Sequence, residues 1–153
     1  MAIFVVTGPP AAGKTTWVLD NARHGDIIID YDRIAAALTV DSDGHQHPRT
    51  ILGAARAARQ AAIDHALTTT ADCDVYIIHT RLTPAVRARY EHIGARIVTI
   101  DPGINTVLAR AKHCRPWQTT QAIKDWYRHH AGPAPTAPPA PAGPPGAHPP
   151  RRW

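Results

Sequence analysis

Short apolar runs alternate with amphipathic segments along the first 100 residues of the chain. Four of the runs are rich in β-branched residues and nearly continuous, as is typical of strands buried on both faces of a parallel sheet. They span residues 2–7, 27–30, 75–80 and 96–101. Segments with helical spacing lie between and after them, at residues 14–23, 32–38, 50–67, 84–93, 104–112 and 120–130. This alternation predicts a three-layer α/β domain with a mostly parallel sheet of about four to five strands.

Two of the predicted helices carry further local signals. Pro84 is suited to a first helical turn, and Thr83 before it is a candidate N-cap. In the segment 50–67, the predicted buried face consists of Ile51, Ala55, Ala58, Ala62 and Leu67. In the last helix, Trp126 could stack on a nucleic-acid base, but its helical spacing beside Ile123 favours a place in the core.

The composition changes sharply after residue 130. Residues 131–153 contain nine of the fifteen prolines and almost no large apolar side chains. We therefore expect one domain at residues 1–130, followed by a proline-rich tail at 131–153 that is extended, partly as polyproline II, and does not pack.

Composition excludes several classes of protein. No apolar run approaches the roughly 18 residues of a membrane span, and the first residues lack the basic region of a signal peptide. Cys73 and Cys114 are too few for a disulfide framework. We expect a cytoplasmic protein without a membrane partner, in the host-cell cytoplasm if a phage encodes it. The net charge of +5 weakly favours an anionic partner, although the excess of arginine over lysine is also what a GC-rich genome produces.

The strongest motif follows the first predicted strand. Residues 8–15 read GPPAAGKT and match the phosphate-loop pattern G-x-x-x-x-G-K-[ST], which chance produces about 0.001 times in a chain of this composition. Glycines allow backbone N–H groups to approach phosphate oxygens, Lys14 would contact the β- and γ-phosphates, and Thr15 would bind Mg²⁺. The residues predicted to bind ATP are Gly8, Pro9, Pro10, Ala11, Ala12, Gly13, Lys14, Thr15 and Thr16. The alternative is a turn without chemical meaning.

Polar residues also end the other predicted strands. Parallel strands present their carboxyl ends at one edge of the sheet, where ligands bind, so Asp30, His79, Thr80 and Asp101 should lie at the edge that carries the loop. A carboxylate at Asp30 could accept the proton of an attacking hydroxyl, and Arg33 could hold a substrate phosphate. The alternatives are that Asp30 is only an N-cap, or that Asp32 is the base or the N-cap.

The third strand lacks the carboxylate that supports Mg²⁺ in many nucleotide hydrolases. It ends in His79, and Asp74 lies at its opposite end. This argues against a motor-type ATPase, and the absence of an N-K-x-D segment argues against a GTPase. Kinases that use one aspartate for both metal and base tolerate the loss. Near residue 112, Arg110, Lys112 and Arg115 could close over bound ATP as a helical lid, or could simply be solvated cations at a helix end.

With these residues in view, the chain resembles the kinase domain of phage-type 5′-polynucleotide kinases, which have a P-loop NTPase fold. The resemblance rests on residues 8–17 (GPPAAGKTTW), 30–33 (DYDR), 75–87 (VYIIHTRLTPAVR) and the lid-like segment 110–127. His79 stands where that family has an acidic residue.

The resemblance implies a role for each matching residue. Asp30 is the general base and, with Thr15, a Mg²⁺ ligand; Lys14 and the lid arginine Arg115 are catalytic, and Arg110 contacts the nucleotide. Acceptor contacts are implied for Arg33, Thr80, Arg81 and Arg87.

The expected function is ATP- and Mg²⁺-dependent transfer of the γ-phosphate to a hydroxyl, with the 5′-OH of a polynucleotide as the acceptor. Two alternatives stay open. One is a kinase of another hydroxyl, in a modified DNA base, a nucleoside or a small molecule. The other is a non-catalytic or ATPase nucleotide-binding module of a phage assembly, tethered by the proline-rich tail.

Overall fold

The computed structural model describes residues 1–40, 47–68, 72–114 and 117–130. The predicted lid arginine Arg115 and the tail at 131–153 lie outside the described residues. The strands are β1 (Ile3–Thr7), β2 (Ile27–Ile29), β3 (Val75–His79) and β4 (Arg96–Thr99), and the helices of the described residues are α1 (Lys14–Asn21), α2 (Tyr31–Ala37), α3 (Arg49–Thr68), α4 (Pro84–His92), α5 (Ile104–Cys114) and α6 (Trp117–His129).

The four strands form one parallel sheet in the order β2-β3-β1-β4. The register aligns Thr7 of β1 with His79 of β3 and with Thr99 of β4, while Ile29 of β2 aligns with Ile77. The carboxyl ends of the strands therefore form one edge, from which the next segments depart. The predicted α/β class with a parallel sheet is confirmed.

Alternating strand residues pack two hydrophobic cores. Val5, Ile29 and Ile77 face α3 and α4, where they pack against Ile63 and Tyr90. Their neighbours Phe4, Val6, Tyr76 and Ile78 pack with Val18 of α1 and Val98 of β4. Because both sets are fully or almost fully buried, the sheet is covered on both faces, as a parallel sheet requires.

Helix α3 differs from its predicted face at one position. Ala55, Ile63 and Ala66 are its buried residues, whereas Ala58, predicted on the buried face, is exposed. The stripe of α3 that faces the sheet consists of residues 55, 59, 63 and 66, and its second position is Arg59. The prediction was wrong at Ala58 because a stripe of alanines fits several helical faces equally well, and the sheet selects the face with Ile63.

Helix starts follow the local signals. Thr83 caps α4 by accepting a hydrogen bond from the Val86 N–H, with Pro84 in the first turn, as predicted. None of the helices in the described part of the chain combines the length and the hydropathy that a bilayer-spanning segment needs.

Candidate functional site

A cleft of about 1110 Å³ opens at the carboxyl edge of the sheet. One wall is formed by residues 10–17, and the opposite wall by α3. Its lining includes Asp30, Asp32, His79 and Thr80 between these walls, with Arg110 at the α5 side. The strand-end residues predicted at this edge thus lie around one cleft, except Asp101, which is not in its lining.

The glycine-rich loop, residues Gly8–Gly13, is shaped by residues with positive φ. Gly8 has φ +151° and Gly13 has φ +95°, and Ala11 between them has φ +61°. A Cβ atom at Gly8 would lie 2.2 Å from the carbonyl oxygen of Ile100, closer than any real contact. The sequence therefore needs glycine at position 8, because the loop passes directly against the segment that leaves β4.

Helix α1 begins at the end of this loop with its first N–H groups available to a ligand. Gly13 is the N-cap, no side chain caps the helix, and the first turn has no acidic residue. The ammonium group of Lys14 donates to the carbonyl oxygens of Gly8 and Pro9, at 2.9 and 2.8 Å. A helix N-terminus and an ammonium group folded over the same loop give this wall a positive potential that suits phosphate.

Asp30 is the buried carboxylate of the site. It is 6% exposed and is the N-cap of α2, where its Oδ1 accepts the Asp32 N–H at 3.1 Å. Its Oδ2 accepts the Thr15 hydroxyl at 2.8 Å. Asp30 is therefore an N-cap, and the same carboxylate also contacts the first turn of α1. Whether it is also a base stays a prediction. Asp32 is exposed at the same cleft, so it stays an alternative base.

Arg59 brings a cationic group to the wall opposite the loop. Its Nη2 donates to the carbonyl oxygen of Ile78 at 2.8 Å, and its Nε is buried without a hydrogen-bond partner. Burial lowers the pKa of the Arg59 guanidinium, while electrostatic interactions with Tyr90 and Asp30 partly offset this effect.

His79 at the end of β3 is a neutral imidazole near neutral pH. Its Nε2 hydrogen bonds with the Tyr90 hydroxyl at 3.0 Å. Burial, with a smaller contribution from the Arg59 charge, lowers the pKa of His79 to about 4. The position therefore supplies a hydrogen-bonding group to the cleft without adding charge.

Helix α5 borders the cleft on the side near β4, and α6 packs behind it. Arg110 of α5 donates to the carbonyl oxygen of Ala12 at 3.2 Å, which brings it to the glycine-rich loop. Trp126 of α6 is 4% exposed, which confirms the predicted core position, and its indole N–H donates to the Thr80 carbonyl at 2.9 Å. Asp101 accepts hydrogen bonds from the Gly103 N–H and the Tyr127 hydroxyl, which tie the segment before α5 to the last turn of α6.

Three predicted acceptor contacts lie away from the cleft. Arg33, Arg81 and Arg87 are exposed and are not in its lining, and Arg87 pairs with Glu91 at 3.0 Å. Asp74 lies at the opposite edge of the sheet, as the sequence predicted, and accepts the Ala2 N–H.

The sequence analysis missed the polar residues that α3 brings to the cleft. They are Arg56, Arg59 and Gln60. The sequence did contain a signal for Arg59: it lies midway between Ala55 and Ile63 at helical spacing, which places a charged residue inside an apolar stripe.

The chain matches no protein-family model, and no curated protein matches its sequence. The function is therefore argued from the geometry of the cleft.

Proposed function

We propose that the chain is an ATP-dependent phosphotransferase with a P-loop NTPase-like fold, which moves the γ-phosphate to a hydroxyl group. The observation that carries the proposal is the 2.8 Å hydrogen bond from the Thr15 hydroxyl to the buried Asp30 carboxylate. This hydrogen bond links the loop wall of the cleft, which suits phosphate, to the Asp30 carboxylate, which can accept a proton.

The phosphate donor belongs on the wall formed by the glycine-rich loop. The uncapped N–H groups of α1 and the ammonium group of Lys14 supply hydrogen bonds and positive charge. Arg110 lies beside the same loop and adds charge where the transferred group becomes most negative. These groups orient the triphosphate and stabilise its charge, which is most of what phosphoryl transfer asks of a protein.

The residues at this point also suit a hard divalent cation. Thr15 and Asp30 present a hydroxyl and a carboxylate oxygen, the ligand types that Mg²⁺ prefers together with phosphate oxygens and water. Bound there, Mg²⁺ would neutralise charge on the β- and γ-phosphates. The described residues contain no cluster of three or more His, Cys, Asp or Glu side chains that could hold a metal. In this proposal the nucleotide phosphates and water supply the remaining ligands.

The acceptor hydroxyl belongs beside Asp30. A buried carboxylate at the end of β2 can accept the hydroxyl proton as the new phosphate ester forms, and general base catalysis of this kind contributes about 10²- to 10⁴-fold. Asp30 is the carboxylate that accepts the Thr15 hydroxyl, and His79 adds no second carboxylate to the cleft. The resemblance to polynucleotide kinases makes a 5′-OH terminus the first acceptor to test.

A small hydroxyl compound is the second candidate acceptor. It is favoured by one observation: Arg33, Arg81 and Arg87 lie outside the cleft lining, whereas the acceptor side of the cleft is lined by α3. A nucleic-acid strand would extend out of the cleft towards these three arginines, whereas a small acceptor would contact only the α3 residues inside it.

The test is transfer of labelled γ-phosphate from ATP, with Mg²⁺, to 5′-OH oligonucleotides, nucleosides and small alcohols. We expect the wild type to label at least one of them, and Asp30→Asn to do so at least about 10²-fold more slowly, with ATP affinity changed far less. Asp72→Asn is the control, since Asp72 is an exposed aspartate outside the cleft lining, and it should match the wild type. Equal rates for Asp30→Asn and the wild type would contradict the proposal.

A further inference from the structure

The α3 wall of the cleft carries a cation that the proposed chemistry does not yet use. Arg59 lies on the inward stripe of α3 between the buried residues Ala55 and Ile63. Arg56 and Gln60 lie one turn before it and one residue after it, and all three line the cleft.

Arg59 is an incompletely paired charge. Among the described residues, no carboxylate oxygen lies within 4 Å of its guanidinium. Its Nη2 is used by the Ile78 carbonyl, and its Nε is buried without a partner. Withdrawing a guanidinium from water without an anionic partner costs free energy, and a buried donor left without a partner adds to that cost. A bound oxyanion would supply what is missing.

The position of Arg59 assigns that oxyanion to the acceptor. The glycine-rich loop follows β1 and Asp30 follows β2, with β3 between them in the sheet. In an in-line transfer the acceptor lies on the side of the γ-phosphate opposite the leaving group, which here is the side towards Asp30. Helix α3 packs against α2 and β2, and Arg59 reaches the Ile78 carbonyl at the end of β3. Its guanidinium therefore lies on the α3 wall of the cleft, beside the strand that separates Asp30 from the loop strand.

We infer that Arg59, with Arg56 and Gln60, binds an oxyanion that the acceptor carries near its reactive hydroxyl. The assignment of this anion to the acceptor rests on the proposed function. The planar fork of a guanidinium matches the paired oxygens of a phosphate ester or a carboxylate. A substrate of this site is thus an anionic hydroxyl compound, and Arg59 sets its orientation relative to Asp30.

The experiment compares acceptor probes that differ in one phosphate. Thymidine 3′-phosphate with thymidine represents the nucleic-acid source, and glycerol 3-phosphate with glycerol represents a small metabolite. Binding to the full chain is measured by calorimetry with ADP and Mg²⁺ present, and turnover is measured with ATP. Arg59→Met removes the guanidinium and keeps the apolar stem. Arg49→Met, at an exposed arginine of the same helix outside the cleft, is the matched control.

We expect Arg59→Met to weaken binding of at least one phosphorylated probe by about tenfold or more, the scale of one charge-assisted hydrogen bond. Its neutral counterpart should bind all variants alike, and Arg49→Met should bind as the wild type does. The probe that shows the loss identifies the source of the anion. A structural role for Arg59 would instead change phosphorylated and neutral probes equally, and that result overturns the inference, as does a wild type that binds both members of each pair equally.

Two further results separate the inference from the proposed function. Arg56→Met, a change at an exposed position, should weaken the same phosphorylated probe by a smaller factor, and it keeps the test decisive if Arg59→Met does not fold. If the protein transfers phosphate but Arg59→Met binds the phosphorylated acceptor as tightly as the wild type does, the anion site is contradicted and the proposed function is not. Arg59-dependent binding without transfer to any acceptor would contradict the proposed function and leave the anion site supported.

Discussion

Protonation of His79 should make the free energy of unfolding depend on pH, and His79→Gln should remove this dependence. The ordinary histidine pKa of 6.5 applies to the unfolded chain, whereas burial and the nearby Arg59 charge lower the pKa in the folded protein to about 4. Between these values the unfolded state binds a proton that the folded state does not. Stability is therefore fully present above pH 6.5 and is lost as the pH falls towards 4.

The size of the effect follows from the two pKa values. Their difference, at about 1.4 kcal/mol for each pH unit, gives about 3 kcal/mol in total, of which about 2 kcal/mol is lost between pH 7 and pH 5. His79→Gln keeps a polar group near the Tyr90 hydroxyl but cannot titrate. The difference in unfolding free energy between wild type and His79→Gln should therefore shrink by about 2 kcal/mol over this range.

Urea denaturation at several pH values between 5 and 7 measures this difference directly. Titration of all other groups cancels in the comparison, because both proteins contain them. Parallel curves for His79→Gln and wild type would refute the argument, since they would mean that His79 is as easily protonated in the folded protein as in the unfolded chain.

Substitutions at Asp30, Gly8 and Lys14 test the carboxylate and the loop separately. Asp30→Asn should change the unfolding free energy little, because asparagine is as good an N-cap as aspartate, whereas Asp30→Ala should lose about 1 kcal/mol or more; equal losses in urea denaturation would contradict the capping role. Gly8→Ala should destabilise the protein by more than Gly25→Ala, because a Cβ at Gly8 meets the Ile100 carbonyl at 2.2 Å while one at Gly25 meets nothing within 4 Å, although both have positive φ. Gly25→Ala should cost about 1–2 kcal/mol, and a thermal melt in which the two variants coincide would show that the loop is not held against β4. Lys14→Ala should weaken ATP binding in calorimetry and leave the circular dichroism spectrum unchanged, since its ammonium group contacts loop carbonyls and not the core; unchanged ATP affinity would remove the phosphate-binding role of the loop.

The fold was largely predictable because its strands are continuous apolar runs bounded by polar residues. Each of the four runs became a strand within one or two residues of its predicted ends, and continuous burial already indicated a parallel sheet. The strand order could not be predicted in the same way. Nothing in the sequence places β3 between β1 and β2, because that order depends on how α3 and α4 cover the sheet.

The wall of the cleft formed by the glycine-rich loop was predictable from local sequence, and the α3 wall was not. Gly8, Gly13, Lys14 and Thr15 lie in one short segment whose geometry is set by the turn into α1. The α3 residues face the cleft only because the helix rotates Ala55 and Ile63 onto the sheet, which carries Arg59 inward. Arg33 follows Asp30 closely in sequence, yet it points to solvent because α2 turns Ala35 towards the interior.

If the proposed function is correct, the protein consumes ATP by transferring its γ-phosphate to an acceptor at the cleft. One reaction in which both the ADP formed and the phosphate recovered in a 5′-OH oligonucleotide or an anionic small alcohol are measured tests this transfer. We expect equimolar ADP and phosphorylated acceptor, with ADP formation dependent on the acceptor and lost in Asp30→Asn. ADP formed at the same rate without any acceptor, or ATP bound and left intact with every acceptor, would contradict it.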